Sequence, residues 1–284
     1  MSAQIITDLP NNEYHALPSI SKSGLDMIRK SPALFRYRRE NPTPATPAMR
    51  MGTLTHTAIL EPSMMAESTI VLPDDAPRDL RHLRNAKKPS TETMDAIEWW
   101  DEFAAKSEGK EILTPDESRK LAGMRDAVWS HSAAARLLDP AKVTHVEASI
   151  FAEIDGTPVR VRPDVLRSDI IMPDLKTTRD ASPEGFAKSV ANYRYHVQAA
   201  FYGDVYRMLT GIETSMVFIA VETEPPYLVA TYTLAPEAIE QGRREYLADL
   251  ETFRQCVESD RWPGYSETII PLEIPRWAMD SAEQ

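Results

Sequence analysis

The sequence predicts a mixed α/β (α+β) fold, and three observations carry that expectation. Asp155-Gly156 separates two strand-like runs, Val143 to Ile154 and Thr157 to Leu166, and such a pair is a strong hairpin signal because a tight two-residue turn needs positive φ. A third apolar run, Ile170 to Thr177, follows at once, so three adjacent antiparallel strands are expected. Helical patterns flank this block: amphipathic stretches precede it, Pro183 to Leu209 reads as one long helix after it, and Pro236 to Ser259 closes the chain beyond strands at Thr214 to Glu222 and Tyr227 to Leu234.

In chain order, Ser19 to Asn41 joins a serine-rich entry (Ser19, Ser21, Ser23) to a helical pattern carrying Leu25, Ile28, Leu34 and Phe35. It is locally basic through Lys22, Arg29, Lys30, Arg36, Arg38 and Arg39. Hydroxyls and free amides at a helix start beside cations suit a phosphate, and they suit a capped, solvated helix equally well. Prolines from 42 to 47 end the pattern. Met49 to Leu60 reads as a helix with Gly52 and His56 on one face. Leu72 to Ser90, rich in Pro, Asp, Arg and Lys, reads as an exposed arm. Thr91 to Lys106 and Thr114 to Leu138 are amphipathic helical stretches, the second opened by the capping sequence Thr114-Pro115-Asp116-Glu117.

The 284 residues and 42% apolar content allow one domain over 1–284: an N-terminal helical segment 1–48, a core 49–262 interrupted by the arm 72–90, and a tail 263–284. A net charge of -11 argues against coating nucleic acid through overall charge, so any such contact must be local. The single cysteine, Cys256, excludes an intrachain disulfide framework, a multi-cysteine zinc site and a four-cysteine iron–sulfur cluster, and it fits a reducing cytoplasm. The start lacks a basic segment followed by an apolar stretch, and no run approaches the ~18 apolar residues of a membrane span, so no membrane association is expected.

The chemistry concentrates at Asp174-Leu175-Lys176. On a strand, Asp174 and Lys176 share a face while Leu175 points into the core. If the run ending at Leu166 pairs with Ile170 to Thr177, Asp164 of Pro163-Asp164 approaches Asp174 across the ladder. That arrangement offers acidic oxygens to a hard cation and an ammonium to a reacting anion, the outline of a metal-dependent phosphodiesterase site. The plainer alternative is a surface salt bridge. Glu147, at mid-strand beside Ser149 and Phe151 on its face, is either solvent-facing or part of a site. His56 is open between a structural histidine and a ligand. Gln198 and Tyr202, one turn apart, either share a groove or decorate an ordinary amphipathic helix.

Taken with Gly52-Thr53-Leu54-Thr55-His56, Glu147, Pro163-Asp164, Asp174-Leu175-Lys176 and Gln198-Ala199-Ala200-Phe201-Tyr202, the chain resembles the PD-(D/E)XK nuclease superfamily. Within it, Tyr14-His15, Ser19 to Leu25, Ser31-Pro32 and Leu60-Glu61-Pro62 are similar to the RecE-type exonuclease, the catalytic domain of exodeoxyribonuclease VIII. The resemblance spans about Tyr14 to Trp262. It implies a restriction-endonuclease-like core with a central mixed sheet flanked by helices. It implies that His56, Asp164, Asp174 and the Leu175 carbonyl hold Mg²⁺ or Mn²⁺, that Lys176 orients or helps deprotonate water, and that Glu147 acts through water or a second metal. Gln198 and Tyr202 would steady Lys176 or the scissile strand, and Ser21, Lys22, Ser23 and Arg162 would contact DNA. Some relatives hold an iron–sulfur cluster through a cysteine before that proline and three more near the end; Ser31 and the lone Cys256 place this chain in the cluster-free branch. The implied activity is 5′ to 3′ hydrolysis of double-stranded DNA ends, leaving a 3′ overhang for a single-strand-annealing recombination protein. A homo-oligomeric ring lined by the Ser19 to Arg39 segment and by Arg160, Arg162, Lys188, Arg194 and Arg207, with acidic residues facing out, would reconcile the acidic total with DNA. Another endonuclease or single-strand exonuclease of the superfamily, and a non-catalytic DNA-end-binding module, remain alternatives.

Overall fold

The computed structural model describes residues 3–274, so residues 275–284 of the expected tail lie outside the described residues. The chain opens with β1 (Gln4–Ile6), α1 (Asn11–Ala16), α2 (Lys22–Lys30) and α3 (Pro32–Glu40). The single helical pattern expected over 19–41 divides at Ser31, because Pro32 has no N–H to continue a helix and fits the first turn of a new one. Ser31 completes both ends: its N–H donates to the Met27 carbonyl and its hydroxyl accepts from the Leu34 amide. Ser21 caps α2 in the same manner through the Gly24 amide.

α4 (Pro47–Leu60) and α5 (Pro62–Ser68) lead to β2 (Thr69–Val71). The stretch 72–90 then runs irregularly, with one 3-10 turn at Arg81–Leu83, to α6 (Thr91–Lys106). β3 (Glu111–Leu113) brings the chain back to pair in parallel with β2, so the excursion leaves and re-enters the core at one place. α7 (Pro115–Ser130) begins at the predicted Thr114–Glu117 capping box. It breaks at His131, whose ring nitrogen caps α8 (Ser132–Leu137).

The strand block departs from expectation in three places. The 143–154 run is cut by Glu147, at φ 52, into β4 (Val143–Val146) and β5 (Ser149–Ile154). The 157–166 run is cut at Arg162-Pro163-Asp164 into β6 (Thr157–Val161) and β7 (Val165–Arg167), a break that suits the missing proline N–H. β5 and β6 form the predicted hairpin, with Asp155 at φ 46 and Gly156 at φ 78; β1 adds to the far edge of β5, and β4 pairs with β7. The third departure concerns β8 (Ile171–Thr178). It joins no antiparallel ladder with the hairpin among the described residues, and pairs in parallel with β9 (Ser215–Glu222) along its whole length, from Ile171 opposite Ser215 to Thr178 opposite Glu222. The intervening α9 (Pro183–Asn192) and α10 (Tyr195–Thr210) supply the long crossover that parallel pairing requires. The single helix expected there is broken by Arg194 at φ 54. β10 (Val229–Thr233) pairs antiparallel with β9, and α11 (Pro236–Ser259) matches its predicted bounds.

The β8–β9–β10 sheet is buried on both faces, as parallel strands usually are. Met172, Phe218 and Ala220 enter a core with Leu25, Ile150, Phe201 and Tyr246, while Leu175, Ile219 and Val221 enter a second with Leu54, Ile59, Met124 and Val128. Alternation along β8 therefore puts Asp174 and Lys176 on the α10 side and Leu175 against α4 and α7. α10 and α11 approach closely at Gly242, where a Cβ would collide with the His196 carbonyl. Gly242→Ala should lose roughly 1–3 kcal/mol to overpacking, more than the ~1 kcal/mol of helix propensity it gains. A urea-unfolding midpoint that is unchanged or raised would contradict this packing.

Candidate metal centre

Three separate elements bring the carboxylates and the imidazole together. His56 projects from the middle of α4; Glu147 occupies the left-handed break between β4 and β5, and Asp164 the break between β6 and β7. The two breaks are tied, since the Glu147 amide donates to the Asp164 backbone carbonyl at 3.0 Å. His56 Nδ1 then lies 3.5 Å from Asp164 Oδ2 and 3.8 Å from Glu147 Oε1. One ligand atom from each of His56, Glu147 and Asp164 lies within 4.8 Å of the others. The irregular backbone at Glu147 overturns the mid-strand placement, in which alternation would have set its direction.

Asp164 reaches β8 by its side chain instead of by a ladder: the Leu175 amide donates to Oδ2 at 2.7 Å. On an extended strand the N–H and C=O of one residue point to the same side, so the Leu175 carbonyl faces the same edge. Asp174 is fully buried, which rules out the surface salt bridge; its Oδ1 accepts from Gln198 Nε2 at 2.6 Å and its Oδ2 lies 2.5 Å from Lys176 Nζ. Asp174 Oδ2 accepts no hydrogen bond of good geometry among the described residues, so the ammonium charge is what offsets its burial there. The Tyr195 ring lies 4.9 Å from the Lys176 nitrogen.

Burial, with the Asp164 charge, pushes the Asp174 carboxyl up to about 6 despite Lys176 beside it. Asp164 is likewise raised, chiefly by burial, against the pull of His56 and Lys176. Burial works to lower His56, but the charges of Asp164 and Glu147 outweigh it and bring the imidazole up to about 9. Lys176 is raised because Asp174 and Asp164 overcome its desolvation. Tyr202 is pushed well above the usual phenol range by burial, with the charges of Tyr14, Asp174 and Asp164 adding. Acidic oxygens held in a dry place, with one imidazole, form a donor set that fits a hard divalent cation such as Mg²⁺ or Mn²⁺.

Gln198 touches Asp174, not Lys176. Ser21 is used in capping and bonds Ser23 across 3.0 Å. Lys22 donates to the Tyr193 carbonyl at 2.5 Å and pairs with Asp26 at 2.7 Å, near enough to Lys176 for the two charges to repel. Arg162 binds the Ser149 hydroxyl and the Leu9 carbonyl and lies 4.0 Å from the Tyr14 ring centre. Three of the cations expected to line a channel are otherwise engaged. Arg160 is buried against the Leu17 and Ser19 carbonyls, Arg194 pairs with Asp26, Glu245 and Asp249, and Arg207 pairs with Asp204 and Glu213. Sequence reasoning did not single out Tyr195; its position one turn before Gln198, on the same helical face, was the signal that it borders the site.

A strand carrying Asp-Leu-Lys, preceded by Pro-Asp and flanked by helices on both faces, defines a PD-(D/E)XK-like nuclease fold. The chain belongs to the family described as PDDEXK-like domain of unknown function (DUF3799), which matches residues 21–272. No curated protein matches the sequence. The solved structure of a candidate exonuclease from Eubacterium rectale aligns with 98% of this chain and 100% of its own, at TM-score 0.60 and 9% identity, a likeness of fold. An alkaline exonuclease from Laribacter hongkongensis aligns at 14% identity over 73% of this chain and 95% of its own; its TM-score of 0.27 carries no argument. Among the described residues no helix is long and apolar enough to cross a membrane.

A His56 that binds its proton more tightly folded than unfolded stabilises the fold fully below pH 6.5, and that contribution disappears as pH rises through about 9. Chelator-treated protein should therefore lose on the order of 2–3 kcal/mol from this group between pH 6.5 and 9.5. Denaturant titrations across that range should show a shallower fall in His56→Gln; parallel curves would refute the charge assignment.

Proposed function

We propose that this protein is a metal-dependent 5′ to 3′ exodeoxyribonuclease that acts on double-stranded DNA ends, releases 5′-nucleotides and leaves 3′ single-stranded overhangs. The observation that carries the hydrolytic part is the convergence of His56, Glu147 and Asp164 on the edge of β8 where Asp174 pairs with Lys176. A divalent cation held by His56, Asp164, Asp174 and the Leu175 carbonyl would supply Lewis acidity toward a phosphate oxygen and lower the pKa of a water. The chain's own residues supply the rest. Lys176, which keeps its proton more tightly than a free lysine, sets a fixed positive charge where negative charge grows as phosphorus gains a fifth oxygen. Gln198 holds Asp174 in place, and the Tyr195 ring shields the ammonium from water. Glu147, whose side chain is 35% exposed against 11% for Asp164, would take a proton from an entering water.

Preference for a duplex end, 5′ polarity, a ring assembly and service to a single-strand-annealing recombination protein follow from the RecE-type resemblance. Linear duplex labelled at either the 5′ or the 3′ end, and circular duplex, should be incubated with and without Mg²⁺. Early release of the 5′ label from linear DNA alone supports the proposal; cutting of circles, or loss of the 3′ label first, overturns it in favour of another nuclease of the fold. Lys176→Ala and Asp174→Ala should each reduce turnover at least about 100-fold, and wild-type rates in either would reject the assigned roles.

A further inference from the structure

The arm over 72–90 has no part in the metal centre, yet on an acidic protein it carries a concentrated positive charge. From Arg78 to Lys88 the sequence holds Arg78, Arg81, Arg84, Lys87 and Lys88 against the single acid Asp79, in a chain of net charge -11. The arm is held in a defined shape by α6. Trp100 Nε1 donates to the Pro77 carbonyl at 2.9 Å, the Arg81 guanidinium lies 5.1 Å from the Trp100 ring, and Arg84 pairs with Asp101 at 2.5 Å. Trp99 stacks on Phe103 beneath them. These contacts use two of the five cations. Arg78, Lys87 and Lys88, with His82 between them, are exposed, and their side chains form no ion pair or hydrogen bond among the described residues, although α6 offers Glu92, Asp95, Glu98 and Glu102 within the same lobe. If the arm's charge served only to complement that acidic helix, these residues would be expected to pair with it.

The root of the arm is fixed near the metal centre. Arg50 on α4 pairs with Glu111 of β3 at 2.5 Å, pairs also with Glu117 of α7, and donates to the Ile112 carbonyl at 3.2 Å. His56 lies six residues further along α4, about 9 Å of helix rise. The other end of α4 leads through α5 directly into β2, the strand from which the arm departs. A lobe with three exposed cations that make no ion pair among the described residues, whose root joins the helix that carries His56, suits contact with the phosphates of a duplex.

We infer that the 78–88 arm is a phosphate-backbone grip for duplex DNA, in which Arg78, Lys87 and Lys88 contact phosphates of the duplex flanking the reacting end. The inference rests on the nuclease reading of the metal centre. Contacts of this kind carry no sequence information; they fix register and add a salt-dependent term to affinity. An acidic protein partner would also be drawn to such a patch, but would not need its charges rooted beside the site of phosphodiester cleavage.

The test compares wild type with Arg78→Ser/Lys87→Ser/Lys88→Ser, full chain, binding a 30-base-pair duplex in chelating buffer, with affinity measured from 50 to 300 mM salt. All three positions are solvent-exposed, and circular dichroism with a melting curve checks that the variant is folded. If each cation neutralises one phosphate, the slope of log affinity against log salt should become shallower by up to about 2.7, because each contact contributes about 0.9. Lys106→Ser/Lys110→Ser, two exposed lysines outside the arm, should leave the slope unchanged. A wild type that binds and degrades duplex while the triple variant keeps the same slope overturns the arm's role and leaves the nuclease reading intact. A wild type with neither duplex binding nor degradation in Mg²⁺ overturns both. An equal loss of slope in the two variants would show a general charge effect and would also overturn the arm's role.

Discussion

The hydrogen bond from the Leu175 amide to Asp164 Oδ2 is the constraint on which the rest of the centre depends. The hairpin sheet of β1, β5 and β6 and the β8–β9–β10 sheet share no ladder among the described residues, and neither does the small β4–β7 pair with either of them. One carboxylate fills that gap. By accepting from the free edge of β8, Asp164 sets the distance between its own strand break and Asp174, and through its backbone carbonyl it also fixes Glu147. Removing that acceptor would leave a buried amide unpaired, a cost of about 1–3 kcal/mol, and would release two elements of the centre at once.

The centre is electrostatically expensive in the metal-free fold. Asp164 and Asp174 are both pushed up by burial, and Lys176 and His56 are both held protonated by them, so the two cations already present compensate only partly. Local backbone is also strained nearby. Glu147 and Arg194 adopt left-handed conformations that cost a non-glycine residue roughly 1–2 kcal/mol, one aiming a carboxylate at His56, the other turning α9 into α10 so that Tyr195 and Gln198 meet Lys176 and Asp174. Arg194 is secured by Asp26 from α2 and by Glu245 and Asp249 from α11, so the basic N-terminal segment and the closing helix both support the site without entering it. Stability is concentrated in the two cores, and the strain lies where chemistry needs converging charges.

Much of this was legible in the sequence wherever one local rule dominates. The Asp155-Gly156 turn, the Thr114–Glu117 capping box and the bounds of α11 each follow from a few adjacent residues. The approach of Asp164 to His56 and to the backbone of β8 beside Asp174 and Lys176 was legible through motif order. What periodicity missed are the breaks. The break at Ser31 is set locally by Pro32, whereas His131, Glu147 and Arg194 each interrupt an unbroken apolar pattern where tertiary contacts, not local propensity, choose the interruption. The partner of β8 was misassigned because a strand's pattern records which faces are buried, not which neighbour supplies the ladder. The partners of the guanidiniums expected to line a channel were not legible for a related reason: charge in a sequence does not show whether its counter-ion lies far away in the chain, as Asp249 does for Arg194.

The shared divalent site is tested most directly by diffraction from crystals grown with Mn²⁺, using anomalous scattering to locate the ion. The account predicts a principal peak at about 2.0–2.6 Å from ligand atoms of His56, Asp164 and Asp174, lost in Asp174→Ala crystals grown identically. A peak coordinated by none of these residues, or full occupancy retained in the variant, would contradict it.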